Sequence, residues 1–390
     1  MNVSTAKSTS VHTVLTRAIN KFFSVGHSIA VWRKPDSNEI HLAASSETKL
    51  ITEINLEESK PGFLFAPFHP DQPKQFLPAD EWIVFRQNEW PQAMGQMATE
   101  IVTVSTDEEL PSGSRHARPA PAQASTSQLH YKDLVTQCRK LVTEGRFEKL
   151  VPSRFQRVSI DPQLDLATIF DSLCARYPHA MVSLFSSPAT GTWMGATPEL
   201  LVSVEGTQFQ TVAVAGTQPY QDGMDIKSVT WTQKEIEEQA LVERYIISCF
   251  KKIRVREYDE YGPRTVVAGN LLHLKTEFKV DMQETNFPQL GSVMLKLLHP
   301  TSAVCGSPLK ESLTFLQENE GYDRQYYSGY LGPVNINKAS TLYVNLRCMQ
   351  LFQDEAVLFA GAGVVADSEP EKEWLETEMK MNTLLQIIRP

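Results

Sequence analysis

The chain has 390 residues, 42% hydrophobic and 21% charged, with a formal net charge of −9. That is globular composition with length for a large core. The acidic balance argues against nucleic acid or an anionic membrane surface as a partner, whereas a small anionic substrate answers to local charge and stays open. No apolar run approaches the ~20 residues of a membrane span, and residues 1–7 lack the apolar stretch of a signal sequence. Cys138, Cys174, Cys249, Cys305 and Cys348 are scattered, without CxxC spacing. They read as reduced thiols of a cytoplasmic protein rather than a disulfide framework or zinc site.

Residues 11–23 have helical spacing, and 28–32, 63–68 and 82–85 read as strands. His27, His41 and His69 stand alone, as structural histidines ordinarily do. Residues 105–127, rich in Ser, Pro, Ala and Thr, read as a flexible surface connection. It need not divide independent domains, because the N-terminal strands can join a later sheet. Residues 131–144 form an amphipathic helix, Gly145 stops it, and a short strand follows with Lys149 at its start. A lysine there is ordinarily exposed; one facing the core has its pKa lowered by desolvation and can act as a base.

Residues 180–185 and the run after Gly191 are strands, and Glu205-Gly206 turns the chain into 208–214. Glu199 directly precedes an apolar strand, where a surface acid and a general acid fit equally well. The strand ends in Val214-Ala-Gly-Thr217, whose small residues can present backbone N–H groups to an anion. Residues 232–252 form a long helix. Glu238 falls on its apolar face with Leu241, Val242, Tyr245 and Cys249, while Glu235, Glu237 and Glu243 fall elsewhere and can be solvated. An acid on that face is a coincidence of spacing or a hard oxygen ligand; paired with Glu376 it suits Mg2+ rather than Zn2+. A strand over 341–351 carries Arg347, which either pairs with a structural acid or grips a substrate carboxylate.

The last stretch reads as strand (356–360), glycine turn, short strand and capped helix. Gly361 and Gly363 let the backbone approach something closely. Ser368-Glu-Pro-Glu371 matches a capping box with proline in the first turn, and the helix runs from about residue 371 toward 388. Glu373, Glu376 and Lys380 share a face that Leu384 and Ile387 continue. Buried carboxylates need a cation or a proton, so this stripe implies a metal and an anionic ligand; a solvated ion-pair ladder is the competing reading. Residues 361–366 also fit a dinucleotide fingerprint, rejected because residues 367–370 separate the glycines from the helix.

Taken together, Phe147-Glu-Lys149, Gly195-Ala-Thr-Pro-Glu199, Ala215-Gly-Thr217, Glu238-Gln-Ala-Leu-Val242, His273-Leu274, Leu298-His-Pro-Thr301, Asp323-Arg324, Arg347, Gly361-Ala-Gly363 and Glu376-Thr-Glu-Met-Lys380 resemble the chorismate-utilising enzymes. That family includes isochorismate, salicylate and aminodeoxychorismate synthases and anthranilate synthase component I. The ordered set carries the resemblance, from about Leu129 onward; any one block is weak. It implies an α+β (α/β) fold with antiparallel β-sheets packed as a sandwich and helices outside. It implies one domain over 1–390, with a sheet-building part (1–105), a flexible connection (106–128) and a catalytic core (129–390).

By the resemblance, Lys149 occupies the site of the base that activates water, and Glu199 that of the general acid. Ala215 stands where many aminodeoxychorismate synthases place a nucleophilic lysine, so the chain looks built to add water. Ala303 is similar to isochorismate synthases, where salicylate synthases tend to carry threonine. Gly216, Thr217, His299, Ala303, Arg347, Gly361 and Lys380 are implied at the substrate. Glu238 and Glu376 are implied as Mg2+ ligands, with Glu373 binding directly or through water. Gln239 and Cys305 are small departures from the family pattern. The expected activity is Mg2+-dependent, reversible conversion of chorismate to isochorismate, by water attack at C2 with loss of the C4 hydroxyl. The alternative is salicylate synthase, which also eliminates pyruvate. A monomer is expected, acting on a small molecule, with menaquinone, siderophore and salicylate routes all open downstream.

Overall fold

The computed structural model describes residues 10–103, 115, 116, 118, 123–221, 223–268 and 271–389. Ser10 caps the first helix, its hydroxyl accepting from the Thr13 N–H. That helix, α1 (Val11–Ser24), leads into β1 (Ser28–Arg33), β2 (Ile40–Ser45), β3 (Lys49–Ile51), β4 (Gly62–Ala66), β5 (Lys74–Pro78), β6 (Glu81–Phe85), β7 (Gln92–Met94) and α2 (Gln96–Thr103). Next come α3 (Gln128–Thr143), β8 (Lys149–Leu150), β9 (Ser153–Ser159), α4 (Leu166–Arg176), β10 (Met181–Ser187), β11 (Gly191–Thr197), β12 (Leu200–Glu205) and β13 (Gln208–Pro219). The remainder is α5 (Gln233–Lys252), β14 (Asp259–Ala268), β15 (Leu271–Asp281), α6 (Leu290–Leu298), β16 (Gly306–Ser307), α7 (Leu309–Asn319), β17 (Tyr330–Val334), β18 (Ala339–Val344), β19 (Cys348–Leu351), β20 (Glu355–Gly361) and α8 (Pro370–Ile388).

The strands make two nine-stranded sheets, ordered β7-β6-β2-β1-β10-β11-β19-β20-β9 and β14-β15-β13-β12-β18-β17-β4-β5-β3, beside a separate β16-β8 pair. Pairing between these strands is antiparallel. The N-terminal strands are woven into both sheets: β1 pairs with β10, and β4 with β17. The strand period sorts the side chains. On β1, Ile29 and Val31 face a cluster with α1, α4 and α8, while Ala30 and Trp32 face the space between the sheets. That space is filled by Trp32, Phe63, Phe65, Phe185, Trp193 and Phe359. The other face of the second sheet packs Phe209, Phe278 and Leu342 against Val242, Ile246 and Phe250 of α5 and Leu295 of α6. The layers are therefore helix, sheet, sheet, helix, the α+β sandwich that the resemblance implies. No helix among the described residues is long and apolar enough to cross a membrane.

Four local expectations change. The run 341–351 is not one strand: β18 lies in the second sheet and β19 in the first, with Arg347 in the break. Both strands are buried on both faces, so the apolar run does not betray the change. β13 does not end at Thr217 but continues to Pro219 through an irregularity between Ala215 and Gln218. The short strand after the glycine turn is a single bridge, Val364 to Leu150. Finally, Ser368 makes no capping box: its hydroxyl accepts from the Val365 N–H at 3.1 Å, and α8 starts at Pro370 with Glu369 as N-cap.

Most of the expected connection over 106–128 lies outside the described residues. Its far end is held along β9, where the Thr126 N–H donates to the Phe155 carbonyl at 3.1 Å and the Arg157 N–H to the Ser125 hydroxyl at 2.9 Å.

Trp193 joins the two sheets. Its ring meets Phe65 of β4, in the other sheet, edge-on with centroids 6.1 Å apart, and stacks on Phe359 of its own sheet at 5.5 Å, while its indole N–H donates to the Thr190 carbonyl at 3.1 Å. Replacing Trp193 by alanine removes that filling and is expected to cost about 3–5 kcal/mol. Urea unfolding of the variant against the parent measures it, and a loss under about 1 kcal/mol contradicts this packing role.

Candidate active site

Two sheet crossings place the central charges. The chain leaves the first sheet for the second between β11 and β12, across Pro198 and Glu199. It returns between β18 and β19, across Asn345, Leu346 and Arg347. The crossings are bonded to each other. The Val344 N–H donates to the Glu199 carbonyl (2.9 Å), and the Ala196 N–H to the Arg347 carbonyl (3.0 Å). The Thr197 hydroxyl donates to the Val344 carbonyl at 2.6 Å. Arg347 takes a φ of +48°, the left-handed region that disfavours a side chain by roughly 1–2 kcal/mol. A Cβ on Gly195 would lie 2.6 Å from the Arg347 carbonyl oxygen, so the neighbouring strand needs glycine there.

Glu199 is buried at this junction. Burial pushes its carboxyl up to about 7, against the pull of Lys149, Lys380 and Arg347. A carboxyl so placed can hold a proton near neutral pH. Lys149 enters from β8 and is buried, not exposed as a strand-end lysine ordinarily is. A Cβ on Gly363 would lie 2.6 Å from Lys149 Cε, 2.9 Å from its Nζ and 2.8 Å from Glu238 Oε1. Lys149 and Glu238 thus meet over a bare stretch of backbone.

α8 supplies the remaining charges on a packed face, so the solvated-ladder reading fails: Glu373 is fully buried. Lys380 Nζ lies 2.7 Å from Glu376 Oε1 and donates to the Gly361 carbonyl at 2.8 Å. Lys234 of α5 places Nζ 2.5 Å from Glu373 Oε1. Burial raises the pKa of Glu373 and the charge of Glu376 adds to the rise, with Lys234 opposing. Burial also pushes Glu376 upward, but Lys380, Lys234 and Arg347 together hold it below the ordinary carboxylate range.

Among the described residues, no three His, Cys, Asp or Glu side chains are gathered so as to ligate an ion as they stand. The donor chemistry nevertheless fits a hard divalent cation, since Glu238, Glu373 and Glu376 offer carboxylate oxygens alone. Glu373 Oε2 is buried without a hydrogen bond of good geometry, the nearby Ser368 hydroxyl acting on it only weakly, a costly arrangement unless a cation or donor meets it. All three carboxylates act on Lys234, so their charge is felt at one place.

The other expected residues are placed as follows. Gly216 has φ +66° within the irregular stretch of β13, and its carbonyl lies 2.7 Å from His273 Nδ1; Thr217 follows it. Gly361 meets Lys380 through its carbonyl. His299 places Nε2 3.1 Å from the Phe68 carbonyl and 3.2 Å from that of Pro67. Among the described residues, no hydrogen bond or ion pair joins it to the charged group. Ala303 packs against the second sheet's core, on the segment whose Cys305 carbonyl accepts from the Val151 N–H beside Lys149. Glu235 and Glu243, expected in solvent, are half-buried: Glu235 closes the capping box of α5, and Glu243 accepts from Gln239 and Thr276.

Sequence reasoning assigned no role to Lys234, His273 or Tyr327. Lys234 lies one helical turn before Glu238, a spacing that marks a shared face. His273 is buried, and its Nδ1 must be the N–H that faces the Gly216 carbonyl, which leaves Nε2 an acceptor. Burial first, then Arg347, lowers its pKa to about 3, so the ring is neutral. The Tyr327 hydroxyl lies 3.2 Å from where a Gly361 Cβ would be, and its ring stacks on Phe359.

The strand carrying Lys149 is held by a buried ion pair. Arg324 donates to Glu320, to the Val304 carbonyl (2.8 Å) and to the Val151 carbonyl (2.7 Å), while Glu320 accepts from the Ser153 N–H at 2.7 Å.

The raised pKa of Glu199 makes a stability prediction. A carboxyl raised above its unfolded value gives the folded state an advantage that is present below about 4.5 and lost as pH rises through about 7. The parent should therefore lose on the order of 1–3 kcal/mol relative to Glu199→Gln across that window. Chemical denaturation of both proteins at stepped pH checks it, and parallel curves contradict a buried, proton-holding Glu199.

Comparison with known proteins identifies the family. The family model described as "Chorismate binding enzyme" matches residues 74–389. The isochorismate synthase EntC of Escherichia coli (strain K12) is 26% identical over 326 residues, which covers 82% of this chain and 79% of that protein. The vibriobactin-specific isochorismate synthase of Vibrio cholerae is 29% identical over 268 residues, 67% of each chain. The solved structure of the menaquinone-specific isochorismate synthase MenF from Escherichia coli superposes with a TM-score of 0.73 at 19% identity, over 93% of this chain and 89% of that one.

Proposed function

Because the chain belongs to the chorismate-binding enzyme family, we propose that it is an isochorismate synthase that reversibly converts chorismate to isochorismate. One observation carries the reading within that family: the carboxyl of Glu199 is buried, burial raises it to about 7, and it feels the charges of buried Lys149 and of Lys380 and Arg347. A net-acidic protein that concentrates Lys149, Arg347 and Lys380 at one buried junction is suited to a substrate with two carboxylates. The two curated relatives described above, both named as isochorismate synthases, favour this branch over the salicylate-forming one.

In the proposed reaction Arg347 and Lys380 bind the substrate carboxylates and fix the ring. Lys149 takes a proton from water as the oxygen bonds to C2. The two double bonds shift, the C4–O bond breaks, and Glu199 gives its proton to the departing hydroxyl, which leaves as water. A hydroxyl group is gained at C2 and one is lost from C4, with water consumed and water released, so the reaction runs both ways. At the end the lysine is protonated and the carboxyl is not, and proton exchange with solvent restores both. Glu238 and Glu376 would hold Mg2+, with Glu373 binding directly or through water. The ion would neutralise and orient the ring carboxylate when bound. His273, neutral and fixed by the Gly216 carbonyl, offers an acceptor beside Arg347.

The test is product analysis after incubation with chorismate, with and without Mg2+ and ammonium. Isochorismate in equilibrium with chorismate, requiring Mg2+ and indifferent to ammonium, is expected. Salicylate with pyruvate, or an amino product, overturns the assignment. Lys149→Ala should lower kcat about 10²–10⁴-fold with chorismate binding little changed; full activity in steady-state assays removes Lys149 from the role of base. Glu376→Ala should raise the Mg2+ concentration for half-activation at least about tenfold, and an unchanged titration shows that Glu376 is not a ligand.

A further inference from the structure

α8 presents two adjacent stripes. Glu373, Glu376 and Lys380 form the charged one described above. Trp374, Thr377 and Glu378, spaced i, i+3 and i+4, form the other, and one side chain engages all three. Arg154, the second residue of β9, is 1% exposed. Its guanidinium carbon lies 3.7 Å over the Trp374 ring. Its Nε donates to the Thr377 hydroxyl at 2.7 Å, and Nη2 donates to Glu378. The Thr377 hydroxyl in turn donates to the Trp374 carbonyl at 2.6 Å, so the fork and the helix backbone are joined. Arg154 sits opposite Ala360 in the register of β9 and β20, one residue from Gly361, whose carbonyl receives Lys380.

A planar fork that stacks on one residue and bonds to two others resists both rotation and sliding of the helix, which a flexible point charge does not. The geometry matters because carboxylates lie ~6 Å from a helix axis, so a rotation of about 20° carries them about 2 Å. A shift of that size is enough to spoil an oxygen cage for a small cation.

We propose that Arg154 is a positioning residue: by stacking on Trp374 and bonding Thr377 and Glu378, it sets the rotation of α8 and so delivers Glu373 and Glu376 toward Glu238 as a metal site. The contacts of Arg154 are with Trp374, Thr377 and Glu378, not with the carboxylates proposed to hold the ion. The metal half of the inference rests on the proposed reading of these carboxylates as Mg2+ ligands; the helix rotation does not.

The experiment uses the full chain with Arg154→Lys, Arg154→Met and, should the buried change prevent folding, Thr377→Val, which removes one arm alone. Two readouts are taken, neither of them activity: the Mg2+ dissociation constant from calorimetry, and the orientation of α8 against β20 from crystal structures of the variants. Folded variants are expected to bind Mg2+ about 10- to 100-fold more weakly, with α8 turned and Glu373 and Glu376 displaced. A folded Arg154→Met with α8 superposing on the parent and Mg2+ affinity within about twofold overturns the proposal. A parent that does not bind Mg2+, with α8 still turned in the variants, refutes the ligand reading and leaves the positioning role standing.

Discussion

The site depends on one constraint: a buried carboxyl and a half-buried guanidinium sit where the chain passes from one sheet to the other. Strands that stay within a sheet use their backbone groups on their neighbours. At the two crossings those groups bond across to the opposite crossing instead, through Val344 to Glu199 and Ala196 to Arg347. The backbone that carries the two side chains is thereby fixed before any ligand arrives. Burial then does the chemistry, because it disfavours the charged form of Glu199 more than three nearby cations restore it. A sheet interior would exclude such charges and a surface would solvate them; the crossing does neither.

The acid cluster is the second half of the same electrostatic problem. Glu238 and Glu373 are buried and Glu376 is largely so, each from a helix on the outside of the sandwich, and Lys234 and Lys380 compensate Glu373 and Glu376 respectively. Those lysines hold two carboxylates that the proposed mechanism also assigns to Mg2+. The bare backbone at Gly363, which Lys149 Cε and Glu238 Oε1 would both overlap if it carried a Cβ, links this cluster to Lys149, the proposed base. Glu199, Lys149 and the carboxylate cluster are thus drawn together from the β11–β12 crossing, β8, α5 and α8.

Much of this was legible in the sequence where one periodicity holds over a whole element. Glu238 on the apolar face of α5 and the stripe of Glu373, Glu376 and Lys380 on α8 follow from helical spacing alone. The turn at Glu205-Gly206 was equally plain, and Glu205 pairs with Gln208 across it. The break at Arg347 was not, because β18 and β19 are both buried on both faces and read as one run. The Ser368 cap failed for a different reason: its hydroxyl serves the Val365 N–H, and Pro370 at the first helical position starts α8 without it. Lys234 was overlooked although its spacing from Glu238 was visible, since a lysine on a helix is ordinarily solvated. Sandwich topology lay beyond local pattern, because pairs such as β4 with β17 join residues far apart in the chain.

The central claim is that water enters at C2 on one side of the ring system while the C4 hydroxyl departs, with Lys149 and Glu199 exchanging the two protons. The direct measurement is the reaction in H2(18)O, with mass analysis of both compounds at equilibrium. The account predicts one 18O in isochorismate, at the new C2 hydroxyl, and a label appearing at the C4 hydroxyl of recovered chorismate as the reaction runs backward. Isochorismate formed without label would mean that the hydroxyl migrates within the substrate, and the roles assigned to Lys149 and Glu199 would fall together.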